Sequence, residues 1–214
     1  MTTPLPTFSP QFRREFSQLV RWRRDVRHFK PDPVDGAIVS ECLELANLAP
    51  SVGLSQPWRF VELQDPARCE QVIASFRRCN REALGSYDED VQARYAKLKL
   101  EGLSQAPVQL VVFADPATPK GKSLGRRTMP EMLHYSVVTA VHTFWLAARS
   151  HGLGVGWVSI LEPGDVADAC NAPADWSLVA YLCIGWPLEQ ADQPELERTG
   201  WERRAGLDDN FTRL

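Results

Sequence analysis

Three arginines and an aspartate crowd the segment Arg23-Arg24-Asp25-Val26-Arg27-His28-Phe29. Guanidiniums are planar, permanently charged donors that grip phosphate oxygens in pairs, so Arg23, Arg24 and Arg27 are candidates to hold a phosphorylated ligand. The competing reading is that they pair with nearby acids. About one helix later, Ala49-Pro50-Ser51-Val52-Gly53-Leu54-Ser55-Gln56-Pro57-Trp58 offers two serine hydroxyls, an amide and a glycine. Pro50 and Pro57 keep this stretch out of helix, so it can wrap a polar ligand. Asp25 carries the most information. A carboxylate beside a phosphate weakens binding by like-charge repulsion, so it either neutralises Arg24 or Arg27 or does work on the ligand. In Gly154-Val155-Gly156-Trp157-Val158-Ser159 the glycines mark the close approach of a backbone or a ligand to a strand. Ser159 closes that strand.

The elements that must position these residues are legible in the periodicity. A helix begins near Gln11 with Phe12, Phe16, Leu19 and Val20 on one face. A second starts at Asp32-Pro33, with Asp32 as N-cap, and its stripe Val34, Ile38, Cys42, Leu45 and Leu48 faces a core. Trp58 to Leu63 reads as a strand and Pro66 to Phe76 as a helix. Residues 77–105 are strongly charged with a thin apolar edge, Tyr87, Val91, Tyr95 and Leu98. They form a surface helix or a lid over a planar ligand. Pro107 to Phe113 predicts a central strand, and Asp115 to Arg127 a mobile loop. Thr128 and Glu131 have capping-box spacing and open the most apolar helix, which carries Leu133, Val137, Val138, Val141, Phe144, Trp145 and Ala148. So broad an apolar surface is either central to the core or buried by a second subunit. Strands at Leu153 to Ile160 and Leu178 to Gly185 flank a short helix, Gly164 to Cys170, and a charged tail follows from Gln193.

Composition narrows the function. The 214 residues predict one domain with a real core. With 24 basic and 27 acidic residues and a formal charge of -3, there is no nucleic-acid footprint, and the arginine cluster is a site rather than a field. Five cysteines without a Cys-x-x-Cys argue against a disulfide frame or zinc cage and point to the cytoplasm. The four histidines lack ligand spacing, so no metal is expected. The first ten residues predict neither signal peptide nor anchor. No Gly-x-Gly-x-x-Gly or Gly-Lys-Ser/Thr loop is present, against a Rossmann dinucleotide site or a nucleotide triphosphatase.

The Arg23-Arg24 pair and the Ala-Pro-Ser…Gln-Pro-Trp loop together resemble the nitroreductase-like FMN-binding family, from about Phe12 to Arg204. Asp25 stands where that family usually carries a small polar residue, and Ser55 where it usually carries Asn. Those departures, with Gly156-Trp157-Val158-Ser159 and Ile184-Gly185-Trp186-Pro187, are similar to a branch that consumes reduced FMN. The resemblance implies an α+β, nitroreductase-like fold with a central mixed sheet of four or five strands flanked by helices, in an intertwined homodimer with FMN at the interface. It implies that Arg23, Arg24 and Arg27 meet the phosphate and ribityl end, joined by Arg203 or Arg204 of the tail. Ser51, Ser55, Gly156 and Trp157 would lie near the ring or ribityl groups. Asp25 would be the acid/base and Ser159 a hydrogen-bonding helper, together the catalytic pair. Residues 1–214 would be one domain, with 77–105 as lid and 193–214 as a C-terminal arm wrapping the partner subunit. The implied reaction is O2-dependent fragmentation of reduced FMN to 5,6-dimethylbenzimidazole and erythrose 4-phosphate, with a separate flavin reductase supplying the FMNH2. Two other functions fit the same motifs: an NAD(P)H-dependent nitroreductase or flavin reductase that recycles FMN, and a carrier that binds flavin unchanged.

Overall fold

The computed structural model describes residues 5–85, 88, 91–92 and 102–214. Its centre is a four-stranded sheet in the order β1 (Trp58–Glu62), β2 (Val108–Ala114), β4 (Ser177–Gly185), β3 (Gly154–Val158). Alternation along the strands splits the apolar residues between two faces. Leu110, Val112, Leu182 and Ile184 pack under α2 (Gly36–Asn47) and α5 (Met132–Ser150). Val111, Phe113, Tyr181 and Cys183 face the other way, against α3 (Pro66–Gly85) and α6 (Pro163–Cys170). Covered on both sides, β2 is buried from end to end, as its continuous apolar run predicts. The result is an α+β architecture. All three strand pairs are antiparallel, which differs from the expected mixed sheet. The parallel component is one isolated bridge, Asp25 with Val155.

Helix boundaries follow local hydrogen bonding. α1 (Pro10–Trp22) starts with Pro10 at its first position, and Ser9 caps it by accepting the Phe12 N–H at 3.0 Å. α2 does not start at Asp32-Pro33. Phe29 bridges to Pro187, and the Lys30 N–H donates to the Trp186 carbonyl at 2.8 Å, holding that stretch against the sheet. The helix begins instead at Gly36, with Asp35 accepting the Ala37 N–H at 2.9 Å. Its inward face is Val39, Cys42 and Ala46, small enough to let α2 lie close to α5. Leu45 and Leu48 point outward, 40% and 78% exposed, which corrects the expected stripe.

α3 runs on to Gly85, so residues 77–85 continue one helix rather than open a new one. Of the expected lid edge, Val91 is half-buried, whereas Tyr87, Tyr95 and Leu98 lie outside the described residues. α5 begins after the anticipated capping box, because Glu131 makes no side-chain cap. The chain enters through turns in which the Met132 and Leu133 N–H groups donate to the Met129 and Pro130 carbonyls, at 3.1 and 3.3 Å. Val137, Val141, Phe144 and Ala148 of α5 are buried in the core, while Tyr135 and Val138 stay exposed. α1 has no buried residue, and Phe12, Phe16 and Val20 lie open along it.

Candidate functional site

After α1 the chain turns extended at Arg23 and runs beside β3, where the Val26 N–H donates to the Val155 carbonyl at 3.0 Å. That approach is possible because β3 carries glycines. A Cβ on Gly156 would lie 2.2 Å from the Val26 carbonyl oxygen, and one on Gly154 2.8 Å from the Val26 side chain. The glycines therefore admit a backbone, and their effect on the site is to set the position of Asp25. Its Oδ1 accepts the Trp157 N–H at 2.9 Å, and its Oδ2 lies 3.2 Å from Arg27 Nε. Ser159 borders the same cleft of about 110 Å³, together with Trp157, Gly102 and Cys183. Although 38% of the Asp25 side-chain surface stays open, most of the carboxylate's surroundings are protein. Burial pushes it above its ordinary range, against the opposing Trp157 N–H and Arg27. Burial also raises the Cys183 thiol, with the charge of Asp25 adding to it.

The arginines divide the work. Arg23 lies over the Trp145 ring, 4.8 Å from its centroid, and its proton affinity is lowered by burial and then by Arg204. Arg24 donates to the Asp192 and Arg23 carbonyls, and burial, Arg204 and Arg23 lower it in turn. Of the two tail candidates it is thus Arg204 whose charge reaches Arg23 and Arg24, while the Arg203 backbone N–H is tied to Glu202. Arg27 pairs with Asp25, and its buried Nη1 has no hydrogen-bond partner; Glu195 is 4.0 Å from it. Mutually repelling guanidiniums and an orphan donor fit a phosphorylated, polyhydroxylated ligand such as FMN.

Ser51 and Ser55 are elsewhere in the chain. Ser51 Oγ accepts the Gln56 N–H at 3.1 Å, whereas Ser55 is buried with no partner for its hydroxyl. The loop is fastened to the first turns of α5: the Val52 N–H donates to Ser136 Oγ at 3.0 Å and Thr139 Oγ1 to the Pro50 carbonyl at 2.8 Å. Arg23 and Arg24 meet the same helix at Trp145, some two and a half turns, roughly 14 Å, further on. One chain therefore does not bring the serine loop to the arginine cluster. The segment expected to be mobile, 115–127, is folded onto that loop; Thr118 is buried and Lys120 Nζ donates to Gln56 Oε1 at 2.9 Å. Leu54, Gln56, Lys122 and Ser123 all adopt positive φ there, and such strain gathers at functional sites.

Two positioning contacts escaped the sequence reading. Ser75 of α3 is buried and accepts the Glu162 N–H at 3.2 Å, which holds the turn after Ser159. Glu195 comes from α7 (Glu195–Arg198) in the charged tail, and nothing in that tail's composition distinguishes it from the other acids there.

The sheet, the long α5 and an arginine-rimmed cleft are those of a flavoprotein fold of the nitroreductase class. Residues 20–186 match the model of the Nitroreductase family, and the chain belongs to that family. It is 57% identical over 199 residues to the 5,6-dimethylbenzimidazole synthase of Rhodospirillum rubrum, covering 93% of this chain and 94% of that protein. A 5,6-dimethylbenzimidazole synthase of Rhodobacter capsulatus is 45% identical over 91% of this chain and 94% of its own length. Among solved structures, oxidised iodotyrosine deiodinase bound to FMN and 3-iodo-L-tyrosine superposes with a TM-score of 0.67, at 25% identity, over 82% of this chain and 91% of that one.

Proposed function

We propose that this chain fragments reduced FMN with O2 to give 5,6-dimethylbenzimidazole, the lower ligand of vitamin B12, and erythrose 4-phosphate. The observation that carries the reading is the 57% identity over 93% of the chain to an enzyme of that name. FMN is then a substrate, O2 the co-substrate, and a separate flavin reductase the source of FMNH2. Reduced flavin brings its own reactivity toward O2; the chain must hold it, exclude water and move protons.

Arg23 and Arg204 hold the phosphate, and Arg27 Nη1, buried without a partner, donates toward the ribityl chain. Arg24, already committed to two carbonyls, orders the segment. Trp157 and the Gly156 backbone line the cleft that takes the ring. Asp25 is the acid/base: the Trp157 N–H pins Oδ1, and Oδ2, which accepts from Arg27 Nε through one lone pair, takes a proton from a ribityl hydroxyl through the other and returns it. A carboxylate lifted by burial exchanges protons closer to neutrality than an ordinary one. Ser159 supplies a hydroxyl beside the ring and the first ribityl carbon. The buried Cys183 thiol stays protonated and closes the floor against water.

Ser51 and Ser55 reach the flavin from a second copy. The roughly 14 Å along α5 between the points where the loop and the arginines attach, and the open apolar faces of α1 and α2, support a homodimer with interfacial sites. Residues 77–105 act as the lid, and 193–214 as an arm whose Glu195 and Arg204 also return to their own chain's cluster. No helix among the described residues is long and apolar enough to cross a membrane. All five cysteines are free, consistent with work in the cytoplasm.

A flavin balance tests the function. Total flavin is expected to fall during aerobic incubation of the protein with FMNH2. Flavin reoxidised without loss would favour a recycling nitroreductase if NAD(P)H is consumed and a carrier if it is not.

A further inference from the structure

We propose that Glu195 is a positioning residue for Asp25: through the Arg27 guanidinium they share, it sets how much positive charge reaches the Asp25 carboxylate. The inference rests on the reading of Asp25 as the acid/base. Arg27 Nε is 3.2 Å from Asp25 Oδ2, and Nη1 is 4.0 Å from Glu195 Oε2. The Arg27 side chain is only 16% exposed, and Nη1 is buried without a hydrogen bond. One cation is thus held between two carboxylates and fully satisfies neither. A single positive charge cannot neutralise both, and the surplus negative charge favours a proton on the more desolvated partner. Asp25 is that partner: burial raises its proton affinity most, and Glu195 adds to it in the same direction.

The other groups that face Asp25 cannot take this role. From β3 comes the Trp157 N–H, which favours the ionised form. From β4 comes Cys183, a thiol held protonated by burial. Arg23, on the same segment, also feels the Asp25 charge, but it lies over the Trp145 ring rather than between two carboxylates. Phe76 of α3 and Gly102 of α4 (Gly102–Gln105) carry no charge. On the far side of the Asp25–Arg27 wall a second cleft of about 360 Å³ contains His28, Glu189, Glu195 and Arg198. Of these, Glu195 is the group in ion-pair range of Arg27. The C-terminal arm thereby reaches the acid/base through a single side chain.

The test is a pH titration of the ligand-free protein by carbon-13 NMR with labelled aspartate, the Asp25 signal being assigned by its loss in Asp25→Asn. Glu195→Gln is expected to move the Asp25 midpoint to lower pH, because a like charge is removed and Arg27 is released to Asp25. Glu195→Ala should move it the same way, and Glu195→Asp, which keeps the charge, should stay near wild type. In turnover with FMNH2, the limb of the pH–rate profile that Asp25 controls should shift with the midpoint. A role confined to stabilising the arm would leave the titration unmoved. An Asp25 midpoint that is unchanged in folded Glu195→Gln and Glu195→Ala overturns the inference. A midpoint that shifts in a protein whose wild type consumes no flavin sinks the functional reading and leaves the Glu195 coupling standing.

Discussion

Asp25 is held against its own solvation, and this has a measurable thermodynamic signature. Its folded-state proton affinity is raised, chiefly by burial. Between the unfolded and the folded midpoints the native state therefore binds more proton than the unfolded chain. Stability present below the unfolded midpoint is lost as pH rises through the folded one. Asn cannot ionise, so Asp25→Asn should be more stable than wild type at neutral pH. The gap should close as pH falls below the ordinary aspartate range, about 4. Urea unfolding at a series of pH values checks this, and a variant less stable than wild type at pH 7 would mean that the Arg27 and Trp157 contacts outweigh burial. The tension around Asp25 was legible in the sequence, since a carboxylate among three arginines stands out by type and spacing. Its degree of burial was not legible, because that depends on β3, more than a hundred residues away.

The elements are positioned by a few close approaches. Gly156 is the sharpest: an added Cβ would meet the Val26 carbonyl at 2.2 Å, and the atom in the way is backbone. Gly156→Ala must push the Asp25 segment off β3. It is expected to cost about 3 kcal/mol or more and to abolish FMN binding even where the protein still folds, as read by urea unfolding and flavin fluorescence. A variant with wild-type stability and affinity would show that the segment does not depend on that contact. Sequence reading placed every strand and the long helix α5 near its true position, because periods of 2 and 3.6 are local properties. It misplaced the starts of α2 and α5 because those depend on distant partners, such as the Trp186 carbonyl that holds Lys30 extended. The lid reading for residues 77–105 belongs to the same scale: amide exchange across that segment should slow when FMN is added, and unchanged exchange would remove the lid.

In the whole molecule, the two halves of the flavin motif sit at different places along α5. The sequence lists them as neighbours, and the proposed homodimer would bring the loop of one copy to the arginines of the other. The apolar residues left open on α1 and α2, Phe12, Phe16, Val20, Leu45 and Leu48, supply surface for that copy to cover. Light scattering should therefore find a dimer that carries two FMN. A monomer that binds FMN tightly would contradict the shared site. The central claim, that the chain consumes its flavin through Asp25, is tested most directly by following 5,6-dimethylbenzimidazole formed from FMNH2 in air, by chromatography with mass detection. Wild type should make the product, and Asp25→Asn at saturating flavin should make it about 10²- to 10⁴-fold more slowly while still binding FMNH2. Wild-type protein that returns all its FMN intact would contradict the account.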